Sequence, residues 1–228
     1  EGRLGAALSI DLEASERPGL HFQGDVRRIL YRRRWRRVFM FVPCENLASS
    51  GSQLHPHKAA SGAMAAAIAL FLWCWCAPAL AVVAESSRGV LARVWRKPHQ
   101  VLQPADFGPG DSGLAESKAT CIWVRGWLHH VAPTHSLPGP RFGASHAVHI
   151  RGDAVRRRRE RSRSHVGLVG ALATQFPAAS IVASPRPHYG TELAGAIAKL
   201  VAEFGASAAP RGWSHPMALL APAGSDAL

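Results

Sequence analysis

Four residue types are close to missing from this chain of 228 residues, which has one Asn, four Lys, two Tyr and three Met. Cysteine is scarce as well: Cys44, Cys74, Cys76 and Cys121 stand at spacings that define no disulfide scaffold. No heptad run and no Gly-X-Y period is present, which excludes a coiled coil and a collagen-like rod. Cys-x-x-Cys and His-Glu-x-x-His spacings are absent too, so no metal centre and no cofactor is expected.

What fills the chain instead is small or basic: 39 Ala, 23 Arg, 21 Gly and 16 Pro. Alanine inflates the 47% hydrophobic content, because each methyl buries little apolar area. The same four residues have GC-rich codons. Translation of a GC-rich sequence never selected as a functional protein is therefore one reading of the whole.

The net charge of +12 is carried mainly by two arginine clusters. The first is Arg27, Arg28, Arg32, Arg33, Arg34, Arg36 and Arg37, in a stretch from Val26 to Cys44 without an acid. The second is Arg156, Arg157, Arg158, Arg159, Arg161 and Arg163, interrupted by Glu160. Runs of like charge repel themselves, stay extended and attract polyanions, either nucleic acid or anionic lipid headgroups. Tyr31 and Trp35 interleave the first run and offer ring faces to bases. No base-reading motif accompanies either cluster, so binding would be indifferent to sequence.

The longest apolar feature is the 26 uncharged residues between Lys58 and Glu85, densest from Ile68 to Trp75. As one apolar helix over 59–84 it would cross a hydrocarbon layer of about 30 Å. Residues 64–84 then form a transmembrane span, whose C-terminal side Arg88, Arg93, Arg96 and Lys97 would place in the cytoplasm while the more distant Arg27–Arg37 run pulls the other way. The same residues also read as a signal peptide starting at Met64, broken at Pro78 and cleaved after Ala81 or Ala84. A buried core helix is the third reading.

Elsewhere the chain is expected to be mostly irregular with α elements and no recognisable compact fold. Residues 1–58 read as a basic, largely disordered segment and 85–165 as a Pro/Gly-rich irregular region, with a loose tail over 206–228. Val38–Val42 and Cys121–Val124 have strand character but no evident partner. The most foldable part is a small helical or α/β unit at 166–205. Within it Thr191–Phe204 predicts a helix: Leu193, Ile197, Leu200, Val201 and Phe204 line one face, and Gly205 follows.

Several short strings resemble known sites and lack what those sites need. Gly110-Asp111-Ser112-Gly113 resembles the serine motif of trypsin-like proteases, but no histidine stands in that family's context. Asp106-Phe107-Gly108 resembles the magnesium tripeptide of protein kinases, without the loops that accompany it. Gly143-Ala144-Ser145-His146-Ala147 resembles a hydrolase nucleophile elbow, without the preceding apolar strand. Arg151-Gly152-Asp153 resembles an integrin-binding tripeptide, and Gly167-Leu168-Val169-Gly170 a phosphate-cradling turn lacking its third glycine. His129, His130, His135, His146 and His149 cluster loosely, at no recognised metal spacing. No catalytic residue is expected and no small-molecule substrate is implied. The favoured reading is a non-enzymatic membrane-associated or secreted protein acting through 64–84. The alternative is a nucleic-acid-binding protein, nuclear in location, acting through the two arginine clusters.

Overall fold

Pro78 divides the long apolar run into two elements of different period. The computed structural model describes residues 7–108, 118–127, 130–135 and 165–209. Its strands are β1 (Leu8–Asp11), β2 (Leu20–Gln23), β3 (Trp35–Phe41), β4 (Ala79–Ser87), β5 (Gln100–Leu102) and β6 (Thr120–Arg125). Its helices are α1 (His55–Ala60), α2 (Ala63–Trp75), α3 (Leu91–Val94), α4 (Val166–Gln175) and α5 (Tyr189–Phe204). Helix α2 ends at Trp75, three residues before Pro78, which has no N–H to continue the ladder. The β-branched pair Val82–Val83 then favours the strand.

The expectation of one long apolar helix over 59–84 in a mostly irregular chain is thereby overturned. Five helices stand among the described residues, and none is long and apolar enough to cross a membrane. The 13 residues of α2 rise about 20 Å, well short of a bilayer core. Ser49–Ala60 and Ala63–Trp75 together have the apolar length, but the chain bends by 101° between them.

Two sheets accompany the helices: β1 and β2 pair in parallel, and a four-stranded sheet runs in the order β3-β4-β6-β5. In the larger sheet β3 and β4 are parallel, with Trp35 opposite Ala79 and Phe41 opposite Glu85. Strand β6 runs antiparallel to both β4 and β5. The strand-like stretches at Val38–Val42 and Cys121–Val124 thus find the same partner in β4, on its two sides. A parallel β3–β4 pair needs a crossover, and α1–α2 supplies it.

Helices cover the sheet on both faces. On one face Met40, Val82, Ala84, Cys121 and Trp123 meet α2 and α5. On the other, Ala81, Val83 and Ile122 meet Phe107, Leu168, Leu172 and Phe176. Because β4 lies between two helical layers, all its residues from Ala81 to Ala84 are buried, and it shows no polar alternation. The 166–205 segment, expected as a unit of its own, is instead divided between the layers: α4 packs on one face and α5 on the other. Gly167 is required where α4 starts, since a Cβ there would stand 2.0 Å from the carbonyl oxygen of Phe107.

One titratable group follows from this arrangement. Glu85 sits on the doubly covered strand between Phe41 and Ile122, and burial raises its carboxyl above the ordinary range, offset in part by Lys118. The fold therefore favours the protonated form. Its contribution is complete below the ordinary carboxylate value of about 4 and is lost as pH rises through the raised value. Glu85→Gln should remove this contribution: the change in denaturant midpoint from parent to variant should become more favourable to the variant as pH rises above about 4.

Candidate anion-binding site

A cleft of about 420 Å³ opens at the sheet end where β3 and β4 begin and β6 ends. Residues from four parts of the chain line it: Trp75 at the end of α2, Arg96 and His99 after α3, Arg125–Trp127 at the end of β6, and Val182–Pro187 leading into α5. The close approach at its base requires Gly126, at φ +87°, where a Cβ would stand 2.6 Å from the carbonyl oxygen of Leu80.

Arginine dominates the polar lining. The buried guanidinium of Arg125 donates to the carbonyls of Ala79 (3.1 Å), Ala77 (3.0 Å) and Trp75 (3.3 Å). These carbonyls lie at or just beyond the C-terminal end of α2, where the helix dipole is negative. Burial lowers the Arg125 pKa, and the positive charge of Arg186 adds to that. Arg186 donates through Nε to the carbonyl of Cys76 (2.9 Å), and its guanidinium lies 5.2 Å from the centre of the Tyr31 ring. Arg96 stacks over Trp95 at 4.4 Å and pairs with Glu192 at 2.7 Å. Glu192 also accepts from the Trp95 indole, so both its oxygens are engaged. His99 completes the lining; burial and then Arg96 lower its pKa, favouring the neutral ring.

Two indoles of the adjoining core are satisfied and one is not. Trp95 bonds Glu192, and Trp123 donates to the carbonyl of Arg96 at 3.1 Å. Trp75 Nε1 is buried without an acceptor among the described residues, and so is Arg125 Nε.

The first arginine cluster lies at the same end of the sheet. Arg32, Arg33 and Arg34 are exposed in the turn before β3, and Arg36 is exposed on β3 itself, which is an edge strand. Among the described residues, none of these four has an acid within ion-pair distance. Of the other three, two are more committed. Arg27 is paired with Asp25, Arg28 lies exposed beside that pair, and Arg37 donates to the carbonyl of Phe176 at 3.1 Å. Tyr31 and Trp35, expected to offer faces to bases, are used by the fold. Tyr31 packs on Trp73 and donates to its carbonyl, and the Trp35 indole donates to the carbonyl of Leu30.

The second cluster, Arg156–Arg159 with Arg161 and Arg163, falls outside the described residues. So do Gly110–Gly113, Gly143–Ala147, Arg151–Asp153, His129, His146 and His149. Asp106-Phe107-Gly108 forms a turn whose Phe107 is core, and Gly167–Gly170 is the first part of α4. His135 bonds Thr134 beside Gly108. Among the described residues no group of three His, Cys, Asp or Glu converges as a metal site. Burial pushes the Cys74 and Cys76 thiols up to about 12, which keeps them protonated and unreactive.

Sequence reasoning missed Arg96, Arg125, Arg186 and Trp75 as a set. Each stands in a different stretch, and no local spacing links them. The one signal was indirect: Arg125 closes an apolar strand and Arg186 is held between two prolines. No protein-family model, curated protein or solved structure matches this chain.

Proposed function

We propose that the protein binds nucleic acid through the sheet end that gathers its arginines, by contact with phosphates and without reading bases. The observation that carries this reading is the set Arg32, Arg33, Arg34 and Arg36, exposed and without an acid partner among the described residues, on the same end as Arg96, Arg125 and Arg186. Exposed guanidiniums without an acid partner gain most from a polyanion, because no internal ion pair must be broken first; Arg33 is held only by stacking over the Trp35 ring. The engagement of Tyr31 and Trp35 within the fold argues for backbone contacts over stacking.

A membrane role through 64–84 has the weaker support. Insertion would draw α2 and β4 out from between the helical layers, and cleavage after Ala81 would cut β4 within its paired register. Either event exposes Trp123, Leu200 and their neighbours to water.

Binding of a single-stranded oligonucleotide, followed by fluorescence anisotropy over a salt series, tests the proposal. Affinity should be similar for unrelated sequences and should fall steeply with salt. Binding that is level from low to high salt would overturn it. Retention on anionic vesicles, with no binding to oligonucleotide, would assign the arginines to a lipid surface instead.

A further inference from the structure

The small sheet of β1 and β2 lacks what such a sheet needs. Parallel strands ordinarily lie covered on both faces, and two strands alone are marginal in water. Here Leu12 and Leu20 are 71% and 65% exposed, and Leu8, Ile10, Leu20 and Phe22 belong to neither core cluster. The ribbon also departs in charge from a chain of net +12: Asp11, Glu13 and Glu16 outnumber Arg17 between its ends. Asp11 and Glu13 are exposed, with no cation within ion-pair distance among the described residues.

The free edge of β3 is its complement. The Trp35 N–H bonds the carbonyl of Pro78 on the β4 side, at 2.9 Å, so the alternation of a parallel ladder turns the backbone groups of Arg36 and Val38 away from β4. On β1 the carbonyl of Asp11 accepts from the Gly24 N–H on the β2 side, at 2.7 Å, which turns the groups of Leu8 and Ile10 outwards. Two open edges of opposite charge therefore stand in one chain, in separate sheets. Two copies of β3 set edge to edge would oppose arginine with arginine, and two copies of β1 acid with acid, an arrangement that keeps edges apart. Only the cross pair joins opposite charges.

From these features we infer that the chain associates with a second copy of itself, β1 of one copy adding as an antiparallel strand to the β3 edge of the other. This direction brings Asp11 and Glu13 to the Arg33–Arg36 end and runs Leu8 and Ile10 towards Val38. A parallel strand would carry the acids past Val38, away from the arginines. The joined sheet runs β2-β1-β3-β4-β6-β5 across two copies, and β1 gains a neighbour on each side. The inference does not rest on the nucleic-acid reading. The two share Arg34 and Arg36, so oligonucleotide should compete with self-association.

Sedimentation velocity of the nuclease-treated full chain, over a concentration series at low salt, tests this. Mass should rise above that of one chain with concentration and fall back at high salt. Asp11→Lys with Glu13→Lys makes both edges basic, and Arg34→Glu with Arg36→Glu makes both acidic; all four positions are exposed, so circular dichroism should match the parent. Each double variant alone should associate at least about tenfold more weakly than the parent chain. Mixed in equal amounts, the two restore opposite charges at both junctions and should associate as the parent does. One-chain mass for the parent at every concentration, undiminished association of either variant alone, or a mixture no better than its parts would overturn the inference. Oligonucleotide binding separates it from the nucleic-acid reading: Asp11→Lys with Glu13→Lys should keep that binding while losing self-association. A mixture that stays unassociated, with a parent chain that binds oligonucleotide, removes the second copy and keeps the polyanion surface. Charge-swap recovery in a chain that binds no oligonucleotide does the reverse.

Discussion

Leu200→Asp is expected to abolish slow amide exchange throughout α2, β4 and β6 as well as in α5. Leu200 is fully buried on the face of α5 that packs against α2, in one cluster with Leu72, Phe71, Val82 and Trp123. The side chains packed around it in that cluster are apolar, and burying a carboxylate unpaired costs several kcal/mol. That is a large share of the roughly 5–15 kcal/mol that holds an ordinary domain together. The extent of the loss is the informative part. If 166–205 folded as a unit of its own, protection would vanish in Tyr189–Phe204 and persist in the strands. Because α5 and the sheet share a core, hydrogen exchange read by mass spectrometry should show them opening together. Leu80→Asp, at a position 60% exposed, should leave the protected set unchanged.

Replacing Arg32, Arg33, Arg34 and Arg36 together with alanine is expected to remove most oligonucleotide affinity. Each phosphate contact on a single strand contributes about 0.7 to the slope of log affinity against log salt. Four lost contacts should make the slope shallower by nearly three, with circular dichroism unchanged because the side chains are exposed. The same replacement at Arg156–Arg159 is the comparison. A slope carried wholly by Arg156–Arg159, and unaffected by the first set, would transfer the binding surface from the sheet end to that segment. Effects from both sets would mean that the two clusters act along one strand.

The helix near the C-terminus was legible because its face repeats at helical spacing: Leu193, Ile197 and Leu200 are buried, with Ala196 beside them. The strand character of Val38–Val42 and Cys121–Val124 was legible as well, from β-branched and aromatic content. Their partner was not, since β4 was read as the end of a membrane helix. That error has a physical cause. A helix buried all round and a strand covered on both faces each lack polar alternation. Joined by only three residues around Pro78, they reach the length of a span while each is too short to be one.

The candidate site divides in the same way. Charge is a property of composition, so the excess of arginine and the density of Arg27–Arg37 stood in the sequence from the start. Which of those arginines remain free for a ligand depended on their neighbours in space: Asp25 takes Arg27 and the carbonyl of Phe176 takes Arg37, while Arg32, Arg33, Arg34 and Arg36 stay exposed. The cleft was wholly beyond local reading. Trp75, Arg96, Arg125 and Arg186 converge only because β6 pairs antiparallel to β4 and α5 returns to α2. Hydropathy and charge are summed along the chain and can be read there. Which guanidiniums meet an acid and which indoles meet an acceptor is set by what lies across the fold, and only the packed chain decides it.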